Sequence, residues 1–166
     1  MTEKNTARQQ HPIPPFYKAD SRILILGSFP SVQSRRQRFF YGHPQNRFWM
    51  VVSAVFGCDL PHTLEEKKFF LESNRIALWD VISSCEIEGS SDSSIKNAEP
   101  NDLRMILDSC DIRKIYINGK TAERLYIKYL LPQTGREAVC LPSTSPANAA
   151  WTLPRLIGAW SVIREE

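Results

Sequence analysis

Three segments of the chain hold residue types and spacings that could do chemistry. Gly27-Ser28-Phe29-Pro30-Ser31 closes an apolar run. A glycine at a strand end with proline close behind makes a tight turn that exposes backbone amides, and such amides can hold an anion, a base edge or a water. The segment lacks the Gly-Lys-Ser/Thr ending of a P-loop and equally suits an ordinary strand-to-loop turn. The second segment, Phe39 to Trp49, reads Phe-Phe-Tyr-Gly-His-Pro-Gln-Asn-Arg-Phe-Trp. Aromatic rings beside arginines fit a stacking pocket for a flat ring near phosphates. Phe48 and Trp49, at the start of a helix, also suit core packing, whereas Phe39, Phe40 and Tyr41 cannot all face one core. The third segment, Pro142-Ser143-Thr144-Ser145-Pro146-Ala147-Asn148, sets small hydroxyl residues between two prolines. That composition gives a rigid loop whose donors suit a phosphate contact or a solvated turn.

The sequence argues against other chemistries. The histidines are His11, His43 and His62. No Ser-His-Asp order is evident, and a three-histidine metal site is not expected. Cys58, Cys85, Cys110 and Cys140 form no Cys-x-x-Cys pair and lie in or beside apolar stretches. That pattern reads as scattered buried thiols in a reducing compartment rather than a zinc or iron–sulfur site.

These segments need elements to position them. Arg22 to Gly27 is a continuous apolar run suited to a strand buried on both faces. Further strands are expected at 75–79, 114–118 and 137–141. Helices are expected at 47–56, at 63–72 behind a Thr63–Glu66 capping box, at 101–109, at 119–130 with a stop at Pro132, and from Pro154 onward. Residues 28–45 and the serine-rich stretch 86–98 read as loops. Strands alternating with helices predict a three-layer α/β/α fold with a mostly parallel, four-stranded central sheet. In such sheets the site lies at the carboxyl ends of the strands, here after Leu26, Trp79, Ile117 and Leu141. The expected organisation is an extended N-terminal lead-in, 1–20, and a single domain, 21–166.

Composition bounds the class. With 166 residues, 42% hydrophobic and 23% charged, the chain has the makeup of one globular domain rather than a disordered one. No apolar run approaches the ~20 residues of a membrane span, and the start lacks a signal-peptide core. A soluble, cytoplasmic monomer is expected. The net charge of +3 is mild, but its distribution is uneven. Residues 21–50 carry Arg22, Arg35, Arg36, Arg38 and Arg47 and no acid, and residues 138–163 carry only Arg155 and no acid. The two acid-free segments hold the first and last of the four loops, so the fold would bring them to one electropositive face.

The order of strand, Gly-x-x-Pro turn, aromatic loop, His43-Pro44-Gln45-Asn46-Arg47-Phe48-Trp49 and serine-proline loop resembles the uracil-DNA glycosylase superfamily. The Gly-Ser-Phe-Pro turn, the aromatic pair before His-Pro and the closing Ser-Thr-Ser-Pro-Ala-Asn are most similar to its hypoxanthine-DNA glycosylase family. Gly42 to Trp49 also looks like the stretch in mismatch-specific uracil-DNA glycosylases. The resemblance covers roughly residues 11–163.

It implies a DNA repair enzyme without cofactor or metal that hydrolyses the N-glycosidic bond of a deaminated base, hypoxanthine above all, after base flipping. Its partner would be DNA containing that base, and its place the nucleoid. In mismatch-type relatives an asparagine in the first turn positions the attacking water, but here that place is Phe29. The resemblance therefore implies a substitute, Asn46, whose amide can accept from a water; a helix cap is its other reading. Gly27, Ser28, Phe29, Phe40 and Tyr41 would bind the base. Asp80, where relatives often place asparagine, would accept from a ring N–H such as N1–H of hypoxanthine; a helix cap or a salt-bridged strand end is the alternative. Arg35, Arg36, Arg38, Ser143, Thr144, Ser145, Pro146 and Asn148 would contact the DNA backbone. A mismatch-specific uracil glycosylase and a non-catalytic DNA-binding module are the rival readings.

Overall fold

Ile-Leu-Ile-Leu-Gly can be apolar throughout because helices cover both faces of the sheet it enters. The computed structural model describes residues 8–165. This run forms β2 (Ile23–Gly27), every residue of it buried. It lies at the middle of a four-stranded parallel sheet with β3 (Ile76–Asp80), β6 (Lys114–Asn118) and β7 (Val139–Leu141), in the order β3-β2-β6-β7. The register sets Gly27 beside Asp80, Leu26 beside Ile117 and Asn118 beside Leu141. All four carboxyl ends thus reach the same edge, as the alternation of strands and helices predicts.

The helices follow local chemistry. Thr63 and Glu66 open α3 (Leu64–Ser73): the Thr63 hydroxyl accepts from the Glu66 amide at 3.0 Å, and the Glu66 carboxylate accepts from the His62 amide at 2.9 Å. α2 (Phe48–Val55) packs against α7 (Leu153–Trp160), with the Phe48 and Trp160 rings edge to face at 5.9 Å. The Thr152 hydroxyl caps α7 ahead of Pro154.

Several elements differ from the sequence expectation. A short helix, α1 (Val32–Gln37), interrupts the 28–45 loop behind a Ser31 cap. The helix at 101–109 shrinks to α4 (Arg104–Leu107). Pro132 does not stop the helix before it. After α5 (Lys120–Leu125) comes a π-helical turn at Tyr126–Leu130, and α6 (Leu131–Thr134), with Pro132 in its first turn where the missing N–H is tolerated, carries on to Gly135 at φ 64°. Of the thiols expected to be buried, Cys85 and Cys110 are, whereas Cys140 is half-buried and Cys58, past the end of α2, is exposed.

A second sheet is not legible in the sequence at all. β1 (Arg8–Gln10), β4 (Ile82–Glu86) and β5 (Lys96–Pro100) form an antiparallel sheet in the order β1-β4-β5. Its strands are short and mostly polar, so no apolar run marks them. Residues 8–17 of the lead-in run along the domain: the His11 amide donates to the Ser83 carbonyl at 2.7 Å, and Phe16 and Leu78 exchange two backbone bonds at 2.9 Å. The expected lead-in starts at residue 1, and its first seven residues lie outside the described ones. No helix among the described residues is long and apolar enough to cross a membrane.

Candidate active site

The four strand ends open into one cleft of about 1010 Å³. It is walled by the Gly27–Ser31 turn, the Phe40–Asn46 loop, Asp80, Asn118 and the Pro142–Asn148 loop. The expected convergence of Gly27 with Ser145 is therefore met. Among the described residues the two acid-free segments do share a face, but its floor is not positive, because Asp80 and Asp92 are both there.

Gly27 is required by its neighbour. A Cβ there would lie 2.5 Å from Asp80 Oδ1 and 3.2 Å from the Tyr41 hydroxyl. The carbonyls of Gly27 and Ser28 accept from the Val81 and Ile82 amides at 2.8 and 3.1 Å. The Ser28 and Phe29 amides donate to no acceptor found among the described residues, so they remain available at the cleft wall. The Ser28 hydroxyl donates to Asp92 Oδ1 at 2.7 Å. Burial, and behind it the charge of Asp80, pushes the Asp92 carboxyl up, against the Ser28 bond that lowers it.

Asp80 is 4% exposed, and its Oδ2 accepts from His11 Nε2 at 2.7 Å. Oδ1 receives no hydrogen bond from the described residues. Tyr41, at φ 54°, stacks on Phe48 at 3.9 Å and 19°. Such a backbone is costly for a bulky residue and occurs where surrounding structure imposes it. Its hydroxyl is buried without a hydrogen bond of good geometry; neighbouring Asn118 is already engaged by Thr144. Burial, then the nearby Asp80 charge, keeps the phenol protonated well beyond its ordinary range, while Asn118 acts weakly the other way. Phe40 is 2% exposed and packs edge-on to Phe39 at 5.4 Å, so only its rim meets the cleft.

Asn46 sits opposite. Its Oδ1 accepts from the Phe48 amide at 2.9 Å and from the Thr144 hydroxyl at 2.9 Å. An amide N–H can only donate, which fixes the flip: Oδ1 faces Phe48. Both lone pairs are then occupied, and Nδ2 has no partner among the described residues. This corrects the expected direction of Asn46. It offers the cleft a donor, not an acceptor, while its oxygen holds the first amide of α2, whose N-cap is Arg47 rather than Asn46.

The last loop is held from behind. Thr144 is fully buried; its amide donates to Asn118 Oδ1 at 3.0 Å and its hydroxyl accepts from Asn118 Nδ2 at 2.9 Å. Thr144 therefore cannot grip a phosphate, contrary to expectation, because every polar group it has is turned inward. The Arg47 amide donates to the Thr144 carbonyl, and its guanidinium donates to the carbonyls of Ser145, Asn148 and Trp151. The Asn148 amide donates to the Ser143 carbonyl at 3.0 Å, which ties the loop to itself. Ser143 and Ser145 accept from loop amides, and Pro146 and Ala147 form the exposed tip.

Of the three expected phosphate-binding arginines, Arg36 and Arg38 are exposed. Arg35 is not free. It donates to the Gly89 carbonyl at 2.7 Å and lies 5.4 Å over the Phe29 ring. That bond docks the serine-rich stretch, which reads from sequence as a plain surface loop, against the cleft. Val32 N donates to Ser90 Oγ at 2.9 Å beside it, and Ser90, Ser91, Asp92 and Ser93 line the opening. His11, Asn118, Arg47 and this loop are the site residues that sequence reasoning missed. Asn118, a polar residue ending a strand marked for attention, carried a signal; His11 carried none.

The chain has clear relatives. The profile of the Uracil DNA glycosylase superfamily matches residues 14–163. A protein of Methanosarcina acetivorans named hypoxanthine DNA glycosylase is 40% identical over 138 residues, which span 82% of this chain and 86% of that one. Its namesake in Methanosarcina barkeri is 34% identical over 137 residues, 81% and 85% of the two chains. The solution NMR structure of a candidate uracil DNA glycosylase from Methanosarcina acetivorans superposes with a TM-score of 0.79 at 36% identity, covering 94% of this chain and 97% of that one.

Proposed function

Given that the chain belongs to the uracil DNA glycosylase superfamily, we propose that it is a DNA glycosylase that releases hypoxanthine by hydrolysing its N-glycosidic bond. The carrying observation is that Asp80, a buried acceptor beside the Gly27 turn, and Asn46, an amide with a free donor, share one cleft. The relatives named for hypoxanthine support the choice of base.

A base inside a duplex cannot be reached, so it is flipped at a cost of about a few kcal/mol, less where it is mispaired. Asp80 Oδ1 accepts from the ring N1–H, and the Ser28 and Phe29 amides donate to the base edge. Adenine presents a ring acceptor at N1 and meets Asp80 as like against like. Tyr41, braced on Phe48, supplies the stacking face, with the Phe40 rim beneath. The turn amides also take up charge that develops on the departing base. Asn46 Nδ2 donates to a water and leaves its second lone pair aimed at the sugar carbon. A carbon with oxocarbenium character needs little activation of its nucleophile, so orientation suffices: the C–N bond breaks, the water oxygen bonds to the sugar carbon, and the water's proton leaves late through solvent, so that the base departs neutral. Ser143, Ser145, Pro146 and Asn148, with Arg36 and Arg38, hold the phosphates, and residues at the loop tip fill the gap in the stack.

Base release from oligonucleotides containing hypoxanthine, uracil or xanthine, in duplex and single strand, tests the reading. Hypoxanthine should leave fastest. Uracil presents the same N–H and carbonyl pair at its edge, so preferential release of uracil would assign the chain to the mismatch type. DNA binding without release of any base would make it a binding module.

A further inference from the structure

We propose that His11 is a specificity-determining positioning residue: it holds Asp80 in place as an acceptor, which makes the N-terminal segment part of the base-recognition site. This rests on the role given to Asp80 above.

His11 leaves β1 at the point where the lead-in crosses β4, its own amide bonded to the Ser83 carbonyl. The Ile13 amide donates to its Nδ1 at 3.3 Å. A nitrogen that accepts from a backbone N–H carries no proton, so the ring proton sits on Nε2 and is donated to Asp80 Oδ2 at 2.7 Å. The two side chains are 3% and 5% exposed. Three rings surround the imidazole: Phe29 at 5.9 Å, Trp79 at 6.3 Å and Phe40 at 6.4 Å. They leave His11 little room to turn away.

The consequence falls on the other carboxylate oxygen. With Oδ2 anchored, Oδ1 is the oxygen left without a hydrogen bond among the described residues, set against Gly27 in a residue that lines the cleft. Ser28 and Phe29 line the same cleft, so one acceptor and two backbone donors share its wall. Without the imidazole, Asp80 would be a buried carboxylate with no side-chain donor among the described residues. It would be free to rotate, and neither oxygen would be fixed towards the ring N–H. The reader would then lose its discrimination while the fold remained.

Single-turnover release of hypoxanthine, DNA affinity and melting temperature are measured for His11→Ala, His11→Met and His11→Gln, each alone and with Asp80→Asn. Methionine fills much of the space without a donor, and glutamine restores an N–H toward Asp80. His11→Ala and His11→Met should slow release about ten- to a hundred-fold, the scale of removing a hydrogen bond to a charged group. DNA affinity should stay unchanged, and His11→Gln should recover most of the rate. In the Asp80→Asn background the His11 substitutions should add little. Equal rates for the methionine and glutamine variants, or full additivity with Asp80→Asn, would overturn the proposal. If His11→Ala unfolds, the methionine and glutamine pair decides the same question. A wild-type protein that releases no hypoxanthine, or an Asp80→Asn variant with a normal rate, would instead remove the base reading on which this rests.

Discussion

The Thr144 hydroxyl donates to Asn46 Oδ1 over 2.9 Å, so a residue of the last loop braces an amide 98 positions earlier in the direction that Phe48 N imposes. Asn118 completes the arrangement, with both ends of its side chain bonded to Thr144. Thr144→Val keeps the shape but removes the hydroxyl. It leaves Asn118 Nδ2 without its acceptor and costs about 1–3 kcal/mol of stability. Release of the base should fall about tenfold as the Asn46 amide loosens, with DNA affinity held, and Thr144→Ser should restore both. A normal rate for Thr144→Val would show that the Phe48 amide alone holds Asn46.

What is legible in the sequence divides along physical lines. The parallel sheet can be read because its strands are buried on both faces, and Ile23–Gly27 has no other use for its unbroken apolar run. The site's address follows from topology, which brings Gly27, Asp80 and Asn118 to one edge. The β1-β4-β5 sheet cannot be read because a strand such as Lys96–Pro100 has no apolar face. With it goes His11, whose position depends on β1 pairing with β4. Thr144 misleads for a related reason: composition shows a hydroxyl in a loop, but only the fold shows Asn118 beneath it.

The exposed arginines make a separate prediction. Removing one cation from a phosphate should flatten the slope of log affinity against log salt by about 0.9 on duplex DNA. Arg36→Ala with Arg38→Ala should therefore weaken binding to every sequence and lower the slope by up to about 2, measured by salt titration. Arg35→Ala should behave differently. It removes the tie to the Gly89 carbonyl, so its main effect should be faster hydrogen exchange in residues 88–94. Equal changes in salt slope for Arg35→Ala and for the double variant would place all three on the phosphates.

Asp92 yields a prediction in pH. Its carboxyl titrates above the ordinary range in the folded protein, chiefly because it is buried and next because Asp80 is near. The native state then binds more protons than the unfolded chain between the two values. The contribution of Asp92 to stability is full below the unfolded value and is lost as pH rises through the folded one. Asp92→Asn keeps an oxygen for the Ser28 hydroxyl but never ionises. It should melt above the wild type at about pH 7.5, and the gap should close towards about pH 4, near the unfolded value of an aspartate. A gap of constant size would mean that the ionisation of Asp92 costs the fold nothing.

The catalytic role proposed for Asn46 can be separated from its structural one by substitution. As a tie between α2 and the last loop it needs only Oδ1, which accepts from Phe48 N and from Thr144; as the proposed holder of the water it needs Nδ2. Asn46→Ala removes both. It leaves the Phe48 amide and the Thr144 hydroxyl without their acceptor, which should cost about 1–3 kcal/mol of stability, and it should slow base release about 100-fold or more, if orienting a water resembles other positioning effects. Asn46→Asp keeps an acceptor for both Phe48 N and Thr144, so its melting temperature should stay near the wild-type value. It has no N–H at the cleft, and its rate should fall nearly as far as that of the alanine variant. Single-turnover rates of the two variants on hypoxanthine duplex, read beside their melting temperatures, therefore distinguish the tasks. An Asn46→Asp rate close to wild type would show that the water is held through an acceptor and would reverse the direction assigned to this side chain. A near-normal rate for Asn46→Ala would leave Asn46 as a structural tie and move the positioning of the water elsewhere in the cleft.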